Sequence, residues 1–325
     1  MRPLRCLRNL LLLASLAFVA IAAGAGPAAA TYPGANGRIV FANGTNELWS
    51  VLPDATGLEL LTTVVAPAGV SSFVSFPSFS ADGSKLAVML NERDRPTPCD
   101  PDALNAGSGF CSALVLMNAD GSNQHVVYAS EDIASLDLAL SPDGSEIAFT
   151  KVTGNSSEQL FTIEADGTHL RLLTRKRPHE PATDTGATWS PDGTTIAFFS
   201  NRDEALTHSW SLFSVDVRTR KIGRIIPGST NNDLEPNWSP DGSKLVFLRT
   251  FDYPDYRIYS VNRDGSGEEE ILSDFAAAMV PVWSPDGSEI LYQALGGLWL
   301  VNADGSNSHQ LVSGVIRGYS WEPLP

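Results

Sequence analysis

The phrase Ser-Pro-Asp-Gly occurs at residues 141–144, 190–193, 239–242 and 284–287, and a near copy, Ser80-Ala81-Asp82-Gly83, precedes them. Each copy leads into a short apolar run. A phrase that recurs at a near-fixed period constrains a fold strongly, because each repeat is one supersecondary unit that stacks on its neighbours to bury its apolar face. From Asp82 the successive Asp-Gly spacings are 61, 49, 49 and 45 residues, close to the ~40–45 of propeller blades. The longest interval contains an insertion with Cys99 and Cys111.

The columns around the phrase define four strands per repeat. One strand follows each Asp-Gly, at 85–90, 146–150, 195–199, 244–248 and 289–292, and a sixth, Arg38-Ile39-Val40-Phe41, follows the abbreviated turn Asn36-Gly37. A second strand type recurs six times, from Leu48-Trp49-Ser50-Val51 to Leu298-Trp299-Leu300-Val301. Most copies run into another Asp-Gly, at Asp120-Gly121, Asp166-Gly167, Asp264-Gly265 and Asp304-Gly305, with a third apolar run beyond. Asp-Gly between apolar runs signals a hairpin, because glycine takes the positive φ that the turn needs. A fourth strand precedes each phrase, with the column Phe79, Leu140, Trp189, Trp238 and Trp283. Its sixth member, Trp321, comes at the end of the chain without the strand that should follow, and residues 38–41 supply that strand. The expected fold is therefore all-β: a six-bladed β-propeller closed by pairing residues near 38–41 with residues near 319–321. Closure leaves only short, protected edges.

The phrase Trp-Ser-Pro-Asp-Gly with a later Asp-Gly hairpin resembles the WD40-like (PD40) repeat of the TolB-like β-propeller family. The resemblance spans residues 31–325 and implies TolB's six-bladed propeller. TolB proteins carry an α/β domain ahead of the propeller, and no such domain is expected between Ala30 and Gly37. Similar repeats form the propeller of prolyl-oligopeptidase-type peptidases, which also need an α/β-hydrolase domain.

Arg2, Arg5 and Arg8, an apolar run over 10–23 and Ala28-Ala29-Ala30 have the layout of a cleavable signal peptide. We expect a signal segment at 1–30 and a single propeller domain at 31–325, with export to a periplasmic or extracellular destination and no membrane span after cleavage. The formal net charge is −15, which disfavours nucleic acid as a partner. In an oxidising compartment the two remaining cysteines, Cys99 and Cys111, are expected to form a disulfide.

The Ser-Pro-Asp-Gly and Asp-Gly turns share one face and are nearly uniform. The opposite face carries the irregular loops, among them 91–112, 151–159, 175–184, 200–211, 227–235 and 249–257, and irregular loops on a regular scaffold are where binding residues usually sit. Candidate binding residues on that face are His179, Glu180, Asp184, Arg202, His208, Asp233, Glu235, Tyr253 and Tyr256. His179, His208 and the carboxylates match no metal-ligand spacing, and Arg202 also reads as an intrablade cap. No nucleophile elbow, zinc-protease motif or phosphate loop is present. No catalytic residue, metal or cofactor is expected. The expected role is a non-enzymatic, monomeric binding scaffold for a protein or cell-envelope component; the alternative is a hydrolase or lyase acting on a glycan or small substrate at the channel mouth.

Overall fold

The structure is a computed structural model that describes residues 34–94, 96–99, 109–154, 157–175, 182–203, 209–227, 229, 231–251, 255–276, 279–294 and 296–324. The expected signal segment lies outside these residues. Among them there is no helix long and apolar enough to cross a membrane.

The described strands form six four-stranded antiparallel sheets. The first is built mainly from β1 (Ala35–Ala42), β2 (Glu47–Val51) and β3 (Glu59–Thr63). The second contains β4 (Ser71–Phe79), β5 (Lys85–Arg93), β6 (Cys111–Asn118) and β7 (His125–Ser130). The third has β8 (Ile133–Leu140), β9 (Glu146–Thr153), β10 (Ser157–Glu164) and β11 (Arg171–Leu172). The fourth has β12 (Asp184–Trp189), β13 (Thr195–Ser200), β14 (Ser211–Asp216) and β15 (Ile222–Arg224). The fifth has β16 (Asn232–Trp238), β17 (Lys244–Thr250), β18 (Asp255–Asn262) and β19 (Glu269–Ala276). The sixth has β20 (Met279–Trp283), β21 (Glu289–Ala294), β22 (Gly297–Asn302) and β23 (His309–Ser313). The last strand, β24 (Tyr319–Leu324), completes the first sheet in the order β24-β1-β2-β3.

The ring closes as the incomplete repeats imply. Ile39 faces Trp321, Val40 faces Ser320 and Phe41 faces Tyr319, and Arg38 Nε donates to Glu322 Oε2 at 2.9 Å. Six apolar clusters fill the six interfaces between neighbouring blades. In the closing interface, Ile39, Phe41, Tyr319 and Trp321 pack with Leu291, Leu298 and Leu300. The large apolar residues of each sheet thus serve two interfaces, and no blade buries its faces alone.

The repeated phrase acts as a self-satisfied turn. Asp192 Oδ1 accepts from the Ser190 hydroxyl at 2.6 Å and from the Thr194 amide at 3.0 Å, and the Gly193 amide donates to Ser190 O. Burial pushes the Asp192 carboxyl up, but these bonds and the contact from Arg263 outweigh it and hold the pKa at about 2. The same turn recurs at Asp82, Asp143, Asp241 and Asp286. Glycine fits because its φ is positive at each, for example +68° at Gly193. The Cys99–Cys111 disulfide is present.

Several expected loops are shorter than their sequence suggests. Strands β9 and β10 remain paired out to Thr153 and Ser157, and β17 and β18 out to Thr250 and Tyr256. Polar residues there continue the ladder, because a strand beyond the blade core still gains backbone hydrogen bonds.

Candidate functional site in the axial channel

The innermost strands are interrupted by a bulge ahead of the Trp column. Register breaks fall between Ser75 and Ser78, Thr185 and Thr188, Leu234 and Asn237, and Met279 and Val282. At the bulge φ is positive: +51° at Phe76, +69° at Gly186, +51° at Glu235 and +47° at Val280. Such a φ is uncommon for residues other than glycine. Phe76, Glu235 and Val280 are each followed by proline, which has no amide hydrogen to leave unpaired where the ladder breaks. A bulge re-aims one side chain. Here the column three residues before Phe79, Leu140, Trp189, Trp238, Trp283 and Trp321 comprises Phe76, Asp137, Gly186, Glu235, Val280 and Gly318, and all six line one axial cavity of about 590 Å³.

That column places two carboxyl groups in the channel. Asp137 is only 6% exposed. Its Oδ2 accepts from the Ala187 amide at 2.8 Å, while its Oδ1 is buried with no hydrogen-bond partner. Burial pushes the Asp137 carboxyl up to about 6. Burial, reinforced by the negative charge of Asp137, pushes half-buried Glu235 up to about 7. Tyr319 also lines the cavity; its hydroxyl donates to Val280 O at 2.5 Å, and burial raises its phenol well above the ordinary value. Nearer the irregular-loop face, the cavity wall includes Phe73 with exposed Arg93 and Arg317. The Arg93 guanidinium lies 5.3 Å and that of Arg317 5.8 Å from the Phe73 ring centre. Neither arginine has an acidic partner among the described residues, whereas Arg38, Arg171, Arg202, Arg249, Arg257 and Arg263 all do.

The raised carboxyls link stability to pH. A folded-state pKa above the unfolded value means that the native state binds the proton more tightly. The resulting stabilisation is complete below about pH 4 and is lost as pH rises through about 6 and 7. Each group contributes on the order of 3 kcal/mol at most, less after mutual coupling. Urea unfolding should therefore give a lower midpoint near pH 8 than near pH 5, and Asp137→Asn or Glu235→Gln should narrow that difference. A midpoint insensitive to either substitution would contradict the assignment.

The expected binding residues divide among three environments. Asp184 and Asp233 stand in equivalent places on β12 and β16, in the inner strands themselves, not in the preceding loops. Asp184 Oδ2 accepts from Arg202 Nη2 at 2.6 Å and its Oδ1 from the Ser200 hydroxyl at 2.6 Å, with the Arg202 guanidinium over Phe198 and Phe213. Asp233 Oδ1 accepts from Arg249 Nε at 2.6 Å, and Arg249 Nη1 also reaches Glu268 at 2.6 Å. Both carboxylates are thus held by arginines of their own blades. Tyr256 lies on β18 and packs partly against the interface between the fifth and sixth blades. Among the described members of the group, Glu235 alone lines the channel. His179, Glu180, His208 and Tyr253 lie outside the described residues. Among the described residues, no group of three or more His, Cys, Asp or Glu side chains is placed to hold a metal ion. Asp137, Arg93 and Arg317 were not singled out from the sequence, although aligning the strands on the Trp column puts Asp137 in register with Glu235.

Comparison with known proteins agrees with this architecture. No curated protein sequence matches the chain. Among solved structures, TolB from Acinetobacter baumannii superposes with a TM-score of 0.67 at 16% identity, covering 88% of this chain and 67% of that one. Oligogalacturonate lyase from Vibrio parahaemolyticus gives 0.54 at 15% identity, over 86% and 72%. A Mycobacterium tuberculosis puromycin-hydrolyzing peptidase gives 0.57 at 16% identity, over 84% of this chain and 43% of that one. At these identities the likeness establishes the fold alone. The family model for the TolB beta propeller domain (PD40) matches residues 112–325, and with the closed six-bladed ring this places the chain in the TolB β-propeller family.

Proposed function

We propose that the chain is an exported binding propeller that receives a segment of a partner protein on its irregular-loop face, with the axial cavity as the anchor. The observation that carries this reading is the cavity itself. All six blades contribute to it, it holds two carboxyl groups in depth, and two arginines without acidic partners among the described residues stand on its wall near that face. Pockets with a few convergent polar groups on a rigid frame are the usual places for recognition. Export is supported by the layout of the first thirty residues and by the Cys99–Cys111 disulfide.

The test is capture of partners from the native cell envelope by the mature protein. An Arg93→Glu/Arg317→Glu variant should lose the captured proteins, while Ser306→Glu, on an exposed turn of the opposite face, should retain them. Equal capture by all three, or loss only with Ser306→Glu, would overturn the reading.

The carboxyl pair favours one second reading, a hydrolase or lyase acting on a glycan, since groups that titrate near neutrality suit general acid–base work. The structural likeness to oligogalacturonate lyase makes an acidic galacturonan the natural first substrate to try. Turnover that disappears in Glu235→Gln with the fold intact would establish it.

A further inference from the structure

The axial cavity is electrically divided along its depth. Asp137 and Glu235 occupy the bulge column, whereas Arg93 and Arg317 flank Phe73, three residues closer to the irregular-loop face on β4. At ~3.3 Å per residue, shortened by the bulge, this sets the two charged zones roughly 7–10 Å apart. That is the span of two to three residues of an extended peptide.

The deep zone is poor in donors: the Ala187 amide serves Asp137 Oδ2, and the nearby Gly186 amide and Thr150 hydroxyl lower its pKa without closing a hydrogen bond to Oδ1. Asp137 is more than nine-tenths buried, and its Oδ1 has no hydrogen-bond partner. The ring around it offers Phe76, Gly186, Val280 and Gly318, which bring no donor from a side chain. Tyr319 has already committed its hydroxyl to Val280 O. A metal ion would want further hard ligands, and no third acidic, His or Cys group joins the pair among the described residues. An ammonium group suits the pair better, because it brings three donors and needs only acceptors. At the outer zone, a guanidinium stacked on an aromatic ring keeps its N–H edge available for a carboxylate.

We propose that the cavity takes an extended peptide N-terminus, ammonium group first, with Asp137 and Glu235 receiving the ammonium and Arg93 and Arg317 a carboxylate side chain two to three residues along. This rests on the partner-binding reading above and specifies the end of the partner that enters. It also sets the pH response. Among the described residues, the titratable or charged side chains lining the cavity are Arg93, Asp137, Glu235, Arg317 and Tyr319, and of these the two carboxyls are the groups that change charge in the neutral range. Binding should strengthen as they ionise, then weaken as the peptide amine, with an ordinary pKa of ~7.7–8.0, loses its proton. The affinity profile is a bell with its top slightly above neutrality.

Calorimetric titration with the peptide Ala-Ala-Glu-Ala-amide, its N-acetylated form and its Gln counterpart tests this on the mature protein. The free-amine acidic peptide should bind, acetylation should weaken it at least about tenfold, and Glu-to-Gln about threefold. Asp137→Asn and Glu235→Gln should remove the preference for the free amine and flatten the acid limb of the bell. Arg93→Gln/Arg317→Gln should remove only the preference for Glu over Gln. Thermal melts of the variants confirm the fold. Equal binding of the acetylated peptide, unchanged preference in the carboxyl variants, or no binding of any peptide would overturn the proposal. If these fail while envelope capture still depends on Arg93 and Arg317, partner binding stands and only the ammonium-first mode falls. If capture is itself indifferent to those arginines, the broader reading falls with it.

Discussion

Truncating the chain before Tyr319 is expected to abolish cooperative folding, not merely to lower the melting temperature. Strand β24 is the innermost strand of the closing sheet and the strand through which the end of the sequence joins that sheet. Without it, the β1 edge is unpaired along residues 35–41. The truncation also removes Tyr319 and Trp321, 6% and 3% exposed, from the cluster they share with Leu291, Leu298 and Leu300. Removal of a buried large aromatic side chain costs about 3–5 kcal/mol. Two such losses plus a strand of backbone bonds rival the ~5–15 kcal/mol of a whole domain.

Two point variants probe the same closure more gently. Trp321→Ala should cost about 3–5 kcal/mol in urea unfolding. Gly37→Ala should cost about 1–3 kcal/mol, because a Cβ there would meet the Glu322 carbonyl oxygen and push β24 away from β1. The Gly37 requirement comes from close approach of two backbones, not from its dihedral. A truncated protein that still unfolds in one sharp transition would show that the ring does not depend on its closing strand.

The second large effect is expected at Asp233. Arg249 is held by Asp233 and Glu268, and its side chain is 8% exposed. Burial raises the Asp233 carboxyl and the contact with Arg249 opposes that rise, so the pair owes its charged state to mutual satisfaction. Asp233→Ala leaves a buried guanidinium with only half-exposed Glu268 for compensation. Loss of one partner from a buried pair typically costs about 3–5 kcal/mol. The double variant Asp233→Ala/Arg249→Met should recover most of that loss, since it leaves no buried charge unpaired and Glu268, which loses its arginine, is exposed enough to be hydrated. A double variant no more stable than Asp233→Ala would mean that the arginine stem, packed over Phe247 and Tyr259, matters more than its charge.

These predictions also show where sequence reading carries and where it stops. The Ser-Pro-Asp-Gly turn is legible because its chemistry is local: Ser190, Asp192, Gly193 and Thr194 satisfy one another within five residues. The closure is legible because the incomplete copies at Asn36-Gly37 and Trp321 are visible in the pattern of repeats. The site is less so. Asp184, Asp233 and Glu235 look alike as acidic residues shortly before a tryptophan. Their fates diverge because the bulge reverses which side of the strand faces the axis. Asp184 and Asp233, above the bulge, meet the arginines of their own blades, while Glu235, at the bulge, enters the channel. A period-two reading of the strand cannot anticipate that reversal.

Residue types and their spacing were enough by themselves to determine the all-β class, the six blades, the turn chemistry, the pairing of the two chain ends and the cysteine pair. Each of these depends on bonds within one repeat or on the arithmetic of repeats. Only the tertiary structure decided that Asp137 and Glu235, 98 residues apart, share one cavity, and that Arg93 and Arg317 meet over one phenylalanine. The proximity of those groups is a property of the closed ring. Six inner strands converge on one axis, and burial there lifts the carboxyl pKa values to about 6 and about 7, an effect of low local polarity that no linear pattern encodes.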